Sequence, residues 1–336
     1  MSTLFEKRCK DLVVGLGLGS AENVVAIMPL TGGVSSDIAL VDMGERKVCV
    51  KFALEKLKVA EDWYAPVERN HAEYNWLLFA ASIVPGTTPA LLGYSDEEKG
   101  FAMEFVEGED VYLWKTALLQ SQPDRGEAGK VGHVLGEIHQ ASAASDDVKN
   151  EFQNQDDFHA LRLEPYLCFT ATRHPALSGQ IDALVEMLYK SRLVLVHGDV
   201  SPKNIIFKQG VPILLDAECA TIGDPSFDVS FCLNHLILKA LHIKTSRQFL
   251  LNSIGKFWSA YTPHVNWEPA AELETRVCRL LPVLMLARVD GKSPVEYLND
   301  VEFQMVRSLA VSLIEDPEQS LLKFVERLGF HMESKS

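Results

Sequence analysis

Two apolar runs near the middle of the chain each lead into polar side chains at a fixed spacing. Asp199 comes three residues after the run at 193–196, and Asn204 follows five residues later. A Lys-Gln-Gly turn then joins two further apolar runs, and Asp216 directly follows the second of them. Because a hairpin returns the chain to the edge from which it started, this spacing can place three side-chain oxygens in one small volume. The sequence therefore predicts one site built from all three residues.

A cluster of this kind suits phosphoryl transfer, in which a protein mainly positions the reactants and offsets their charge. Mg²⁺ prefers oxygen ligands and bridges phosphates, while a carboxylate receives the proton of the attacking hydroxyl. We predict Asp199 as the catalytic base, and Asn204 and Asp216 as magnesium ligands. Glu218 is a candidate second metal contact. Either aspartate alone would more often be a turn or cap residue, so the prediction depends on the joint spacing.

The composition limits the classes of protein to which the chain can belong. Its 336 residues suffice for one large or two modest domains. A net charge of −14 argues against binding to nucleic acids or anionic membranes, which favour basic surfaces. The six cysteines stand singly, as is typical of free thiols in a reducing compartment. No apolar run approaches the roughly 20 residues of a membrane span, and we expect a cytoplasmic protein.

The secondary-structure patterns change near residue 108. Short apolar runs in the first hundred residues predict strands, and a helical pattern begins at about Pro66. Helical patterns dominate from Gly108 onward, apart from the central hairpin. We therefore predict an α+β fold with a small β-rich lobe at 1–106 and a larger helical lobe at 107–336. A cleft between two lobes is a natural place for a ligand.

Three motifs together resemble those of a known enzyme group. The chain contains His-Gly-Asp-x-x-x-x-Asn at 197–204, Asp-x-Glu at 216–218 and Gly-Asp-Pro-Ser-Phe-Asp at 223–228. This combination is similar to the aminoglycoside phosphotransferase and choline kinase superfamily, and the resemblance extends over about 28–298. It implies a protein-kinase-like fold with a nucleotide-binding first lobe and a catalytic second lobe. It also implies ATP and Mg²⁺ as cofactors and a small hydroxyl-bearing substrate.

The resemblance implies further parts of a nucleotide site. Lys51, on the third predicted strand, would hold the α- and β-phosphates and pair with Glu73 on the following helix. The turn at 31–37 would cover the phosphates with its backbone N–H groups. The remaining nucleotide contacts would come from this turn and from the crossing strand: Gly32, Gly33, Ser35 and Ser36, then Glu104 and Val106 for adenine.

The catalytic segment differs from that of protein kinases in ways that favour a small substrate. Gly198 precedes the predicted base, where protein kinases usually have an arginine that binds a phosphorylated activation segment. Few residues separate Asp216 from Asp228, and no Ala-Pro-Glu element follows, so there is little room to bind an extended peptide. The resemblance also implies that His197 holds the catalytic loop and that Asp228 braces it.

The acceptor is left open by the sequence. Stretches 161–166 and 287–298 could line its pocket, although solvated helix connections explain the second stretch equally well. The region from 50 to 73 is similar to 5-methylthioribose kinase, a family that lacks the asparagine at position 204. Because of this similarity, a hydroxyl group of a sugar-like molecule is the favoured acceptor. Aminoglycosides, choline, homoserine-type compounds and anionic substrates are left open. The candidate substrate residues are Arg162, Tyr166, Arg288 and Lys292.

Alternative functions explain fewer of these features. A glycine cluster at 15–19 does not complete the G-x-G-x-x-G pattern of dinucleotide enzymes. A metal-dependent hydrolase would draw its ligands from His197, Asp199, Asp216 and His235, and it would leave the lysine and the glycine turn without a role. The main alternative is a pseudokinase-like protein that binds nucleotide and acts through partners without phosphotransfer. A homodimer is compatible with the sequence but is not indicated by any distinctive surface.

Overall fold

The computed structural model describes residues 3–30, 35–58 and 66–334. A strand-rich first part precedes a helical second part, as the sequence patterns predict. The strands are β1 (Ala26–Pro29), β2 (Ser36–Asp42), β3 (Lys47–Ala53), β4 (Leu91–Ser95), β5 (Gly100–Glu104), β6 (Val111–Leu113), β7 (Val194–Val196), β8 (Ile205–Lys208), β9 (Val211–Leu214) and β10 (Thr221–Gly223). The helices are α1 (Thr3–Gly15), α2 (Arg69–Ile83), α3 (Trp114–Leu119), α4 (Glu127–Ala143), α5 (Asp146–Glu151), α6 (Gln155–Phe158), α7 (Phe169–Arg173), α8 (Ser178–Lys190), α9 (Ser226–His242), α10 (Arg247–Tyr261), α11 (Ala270–Asp290), α12 (Asp300–Glu315) and α13 (Leu321–Ser334).

The first part is an antiparallel sheet in the order β1-β2-β3-β5-β4. Strand β3 reads Lys-Val-Cys-Val-Lys-Phe-Ala, and side chains of a strand alternate between the two faces of the sheet. Val48, Val50 and Phe52 pack in one apolar cluster with α1, whereas Cys49 packs with α2 on the other side. Lys51 shares the face of Cys49, so the alternation itself directs this lysine toward α2.

The second part is built around α9. All of its residues from Ser226 to Leu241 are buried, which is typical of a helix at the centre of a domain. Helices α10 and α11 pack against it, and α12 packs on α11. A π-helical stretch, His159–Cys168, contains Pro165 and contacts α8 and α11. Such wide helical turns are frequent at functional sites.

Short antiparallel pairs hold the central segment of the chain. Strand β7 pairs with β10, and the hairpin β8–β9 pairs with β6. The loop at 197–204 therefore leaves β7 and returns through β8, with its ends held by two separate ladders. The division of lobes at residue 106 lies between β5 and β6 and stays a prediction. Within the described ranges, no helix combines the length and apolar character that crossing a bilayer requires.

Candidate active site

The loop that carries Asp199 is fixed through its backbone. Asp228, in the first turn of α9, accepts hydrogen bonds from the backbone N–H of His197 at 2.6 Å and of Gly198 at 2.8 Å. Gly198 has a φ of +79°, and a Cβ at this position would lie 2.7 Å from the Cβ of Cys219. The bend thus needs glycine for its backbone angle and for space. This explains in steric terms why no arginine precedes Asp199.

His197 is buried within the loop and packs edge-on against the ring of Trp76, with 4.6 Å between ring centroids. Its Nδ1 accepts a hydrogen bond from the backbone N–H of Asp199 at 3.1 Å. Burial lowers the pKa of His197, against the opposing attraction of Asp228 and Asp199, so the neutral ring is favoured. This geometry suits the loop-holding role that the resemblance implies.

The carboxylate of Asp199 has one oxygen held by cations and one oxygen free. Its Oδ2 accepts from Arg162 at 2.9 Å and lies 3.1 Å from the Nζ of Lys203. Its Oδ1 is buried and has no hydrogen-bond partner among the described residues. A buried oxygen without a donor is costly, commonly by about 1–3 kcal/mol. Oδ1 is therefore suited to accept a hydrogen bond from a bound hydroxyl group.

Asn204 and Asp216 reach the same region from the two ends of the hairpin. The Nδ2 of Asn204 donates to the carbonyl oxygen of Asp199 at 3.1 Å. The backbone N–H of Leu215 donates to the carbonyl oxygen of Asn204 at 2.9 Å, which ties the end of β9 to the start of β8. Asp216 follows with a φ of +69°. The spacing seen in the sequence thus becomes spatial proximity.

An ion-paired triad joins the two parts of the molecule. The Nζ of Lys51 lies 2.6 Å from Oε2 of Glu73 and 2.5 Å from Oδ1 of Asp216. Burial acts to lower the pKa of Lys51, but the two carboxylates outweigh it and raise this pKa. Burial also acts to raise the pKa of Asp216, yet Lys51 and Lys203 hold it well below its ordinary value. For Glu73 burial dominates and raises the pKa to about 7. The lysine–glutamate contact expected from the sequence is present.

Glu218 faces an arginine. Its Oε2 accepts from Nε of Arg69 at 3.0 Å, and both side chains are buried. Arg69 also donates to the carbonyl oxygens of Ser35 and Leu54, each at 2.6 Å. This arginine therefore links the Asp-x-Glu segment to the strand edge of the first part. Direct contact of Glu218 with a metal stays a prediction.

The other predicted nucleotide residues are distributed around this triad. Gly32 and Gly33 lie outside the described residues. Ser35 and Ser36 are buried at the start of β2. Glu104 ends β5 and its Oε1 pairs with Lys208 at 3.0 Å, while Val106 lies on the crossing segment. Their contacts with adenine or phosphate remain predictions.

Comparison with known proteins identifies the family. The model of the phosphotransferase enzyme family, APH, matches residues 26–250. The chain belongs to this family. It is 22% identical over 275 residues to a methylthioribose kinase from Bacillus cereus, a match that covers 68% of each chain. The predicted superfamily is therefore confirmed, and the chain is a small-molecule phosphotransferase with a hydroxyl acceptor.

Solved structures of this phosphotransferase fold support the predicted architecture. A choline/ethanolamine kinase family protein from Mesorhizobium loti is 16% identical and superposes with a TM-score of 0.58, covering 99% of this chain and 100% of that one. Amicoumacin kinase, crystallised with AMP-PNP, Ca²⁺ and Ami, is 13% identical, with a TM-score of 0.54 and coverage of 95% and 98%. The kinase-like α+β fold is thereby confirmed, and the bound molecules belong to that crystal structure.

The four predicted substrate residues of this phosphotransferase fall into different environments. Arg162 is buried, and its donors go to Asp199 and to the carbonyl oxygens of Gly198 and Leu161. The Nη1 of Arg288 lies 3.3 Å from the hydroxyl of Tyr166. Lys292 instead pairs with Glu164 at 2.9 Å. Arg162 thus contacts Asp199, Tyr166 and Arg288 contact each other, and Lys292 lies on a separate ion pair.

Two lysines were missed by the sequence reasoning. Lys203 lies within the catalytic motif, and its position four residues after Asp199 could have indicated that it reaches the same carboxylate. Lys239 lies on the buried helix α9 and is only 1% exposed. A lysine within the apolar run Leu-Ile-Leu-Lys-Ala was the available signal for it, because lysine is almost never fully buried without a reason.

Proposed function

We propose that this phosphotransferase transfers the γ-phosphoryl group of ATP to a hydroxyl group of a small molecule, with Asp199 as the base. The observation that carries the proposal is the arrangement of Lys51 between Glu73 and Asp216, together with an Asp199 whose Oδ1 has no hydrogen-bond partner in the described ranges. In the reaction, the acceptor oxygen forms a bond to the γ-phosphorus and the bond to the β–γ bridging oxygen breaks. ADP leaves, and the hydroxyl proton passes to Asp199.

Lys51 suits the role of a phosphate-binding cation. Its ammonium is held between two carboxylates, so its position is restricted and its charge is retained at neutral pH. A fixed cation near the α- and β-phosphates would offset their charge without reorganisation during the reaction. Gly32, Gly33, Ser35 and Ser36 would cover the phosphates, and the backbone of Glu104 and Val106 would bind adenine.

The residues present fit a divalent cation with oxygen ligands. Asp216 is held in the ionised form, and Asn204 contributes an amide oxygen from the adjacent hairpin end. Across the described part of the chain, no three His, Cys, Asp or Glu side chains gather closely enough to hold a metal by themselves. A site of this kind suits Mg²⁺, which commonly takes one or two protein ligands along with substrate phosphates. When bound, Mg²⁺ would offset the negative charge of the phosphates.

Asp199 suits the role of base by position. Arg162 and Lys203 hold Oδ2, which leaves Oδ1 as the atom that a hydroxyl could approach. The same ionic contacts orient the side chain. Asp228 fixes the backbone on the preceding two residues, so the base sits on a rigid loop.

A sugar-like acceptor is the coarse substrate class that the family relationship favours. Methylthioribose kinase is among the relatives, although 22% identity leaves the acceptor itself open. The pseudokinase-like alternative is less well supported, because the lysine, its glutamate partner, the base and both metal-ligand positions are all occupied by suitable residues.

The direct experiment is a coupled ADP-release screen with Mg²⁺ and ATP. The acceptor panel would include methylthioribose and other sugars, sugar acids, amino alcohols, homoserine and aminoglycosides. We expect at least one hydroxyl compound to raise ADP release at least about tenfold above the rate without acceptor. A flat response across the panel would favour a nucleotide-binding protein without phosphotransfer.

A further inference from the structure

A buried lysine without an anionic partner lies in the helical part of the molecule. Lys239 on α9 is 1% exposed, and no acceptor contacts its ammonium group within the residues that the structure describes. Its Nζ instead lies 5.2 Å from the centroid of the Tyr297 ring. A cation–π contact returns only part of the hydration that a buried ammonium loses. The geometry thus leaves this cation able to bind a further group.

Arg288 presents a second incompletely satisfied cation. It is 8% exposed, and its Nη1 donates to the hydroxyl of Tyr166 at 3.3 Å and to Oγ of Ser293 at 3.1 Å. Its Nε is buried without a hydrogen-bond partner in the described ranges, as is the hydroxyl of Tyr297. A guanidinium has five N–H donors, and those of Arg288 are only partly used by the protein.

Contacts between neighbouring side chains relate these cations to the surroundings of Asp199. The pKa of His235 lies well below its ordinary value. Burial is the main cause, and four neighbouring cations add to it: Lys239, Arg288, Lys203 and Lys115. Lys203 in turn lies 3.1 Å from Asp199. Ring contacts also join this region: Tyr166, which bonds Arg288, packs against Phe231 with 5.6 Å between ring centroids, and Phe231 packs against His235 with 5.5 Å. We call Lys115, Lys203, Lys239 and Arg288 the basic pocket.

The four cations of the basic pocket differ in their ion pairs. Lys115 pairs with Glu296 and Lys203 pairs with Asp199, whereas no carboxylate of the described residues pairs with Lys239 or Arg288. Burial first, and then Lys115 and Arg288, lower the pKa of Lys239 to about 7. The positive charge is local, because the whole chain carries a net charge of −14. Lys239 and Arg288 are buried, so a ligand of the opposite sign is suited to offset their charge.

We propose that the basic pocket binds an anionic group of the acceptor, a carboxylate or a phosphate, while the acceptor's hydroxyl lies at Oδ1 of Asp199. This inference rests on the proposed kinase function and narrows its substrate class. Cationic acceptors such as choline or an aminoglycoside would meet like charges in this pocket and are disfavoured. A neutral sugar would supply no negative charge to offset the buried cations Lys239 and Arg288.

The test uses acceptors that differ mainly in charge. The pairs are glucuronate and glucose, glycerate and glycerol, glucose 6-phosphate and glucose, and ribose 5-phosphate and methylthioribose, each assayed for ADP release with Mg-ATP. We expect at least one anionic member to exceed its neutral partner in kcat/KM by about 100-fold or more. The carboxylate and phosphate pairs distinguish the two possible anions.

Lys239→Met provides the matched variant, because methionine is of similar length and compatible with a buried site. We expect it to raise KM for the preferred anionic acceptor at least about tenfold with little change in kcat. Lys244→Met, at an exposed lysine beyond the end of the same helix, is the control and should leave both constants unchanged. Thermal-shift measurements with the same compounds give a second readout that does not depend on turnover.

The outcomes separate this inference from the kinase proposal. Turnover of neutral or cationic acceptors, without preference for anions, would overturn the inference and leave the kinase intact. Stabilisation by anions that Lys239→Met abolishes, without any turnover, would support the basic pocket and contradict the kinase. If neither turnover nor anion-selective stabilisation occurs, both proposals are overturned.

Discussion

Arg162 donates a hydrogen bond from Nη2 to Oδ2 of Asp199 at 2.9 Å, and both side chains are less than 10% exposed. The same guanidinium donates from Nε to the carbonyl oxygen of Gly198 at 2.6 Å. One planar group therefore holds the carboxylate and the peptide that precedes it, a geometry that a lysine cannot reproduce. We infer that Arg162 is a positioning residue for Asp199, while its predicted contact with substrate stays a prediction.

Replacing this arginine should impair the chemical step more than binding. Arg162→Lys keeps the positive charge but loses the planar guanidinium that bonds both the carboxylate of Asp199 and the carbonyl oxygen of Gly198. We expect kcat to fall about 10- to 100-fold, because small misplacements of a catalytic group are costly, while KM for ATP changes less than about threefold. Steady-state kinetics would measure both constants. Arg173→Lys, at an exposed arginine, is the control. Equal losses in both constants, or an unchanged kcat, would argue against a positioning role.

The triad of Lys51, Glu73 and Asp216 predicts a pH-dependent stability defect. Lys51→Met removes the cation from between two carboxylates, so the pKa of Glu73, already about 7, should rise further from its ordinary 4.5. The folded protein then holds a proton that the unfolded chain has released, and stability falls as pH rises above about 4.5. Thermal unfolding of Lys51→Met should therefore show a larger loss in Tm at pH 8 than at pH 5.5.

Lys47→Met is the matched control for this effect. Lys47 lies on the same strand but forms an exposed ion pair with Glu107. Its replacement should change Tm little at either pH, because exposed ion pairs contribute little. An equal loss of Tm at both pH values in Lys51→Met would contradict the proposed protonation of Glu73.

Gly198 should not tolerate even the smallest side chain. Gly198→Ala combines a positive φ, which costs about 1–2 kcal/mol, with a Cβ that would lie 2.9 Å from the carbonyl oxygen of Cys219. With about 1–3 kcal/mol for overpacking, we expect Tm to fall by roughly 5–15 °C and kcat to fall with it. Gly179→Ala is the control, because nothing lies within 4 Å of its Cβ position and helices favour alanine. Comparable Tm values for the two variants would contradict the steric account.

The basic pocket predicts that binding of a carboxylate acceptor weakens as pH rises. A bound anion favours charged Lys239, whose pKa in the free protein is about 7, so binding takes up a proton above that pH. KM should rise by up to about tenfold per pH unit above pH 7, and Lys239→Met should abolish this dependence. A KM independent of pH would contradict the assignment. The ionisable groups near Lys239 on its own helix and on neighbouring segments are Lys115, Cys232, His235, Arg288, Glu296 and Tyr297.

Local sequence patterns were sufficient to predict a strand-rich part followed by a helical part and to place the central candidate residues close together, whereas the kinase-like fold was predicted from the family resemblance. Asn204 and Asp216 stand at the two ends of a hairpin, so their proximity follows from the chain itself. Lys51 lies two residues after Cys49 on β3 and so shares its face of the sheet, which directs it toward the helix that carries Glu73. These contacts follow from the regular alternation of side chains along a strand and from the short connections between neighbouring elements.

Contacts between distant segments could not be predicted in the same way. Arg162 reaches Asp199 through a π-helical stretch, whose altered period changes the direction of side chains. Arg69 meets Glu218 across 149 residues of chain, and Lys239 belongs to a helix that is buried on every side. A helix that is buried on every side has no single apolar face from which its orientation could be predicted. These contacts depend on how the helices pack, which the order of residues does not reveal.

The most direct test of the proposed reaction is acceptor-dependent ADP release by Asp199→Asn, compared with the unmodified protein at saturating Mg-ATP. The amide keeps the shape of the side chain but cannot receive the hydroxyl proton. We predict a fall in kcat of about 10²- to 10⁴-fold, with ATP affinity and Tm little changed. Acceptor-dependent release that stays within a few-fold of the unmodified protein would contradict the assignment of Asp199 as the base.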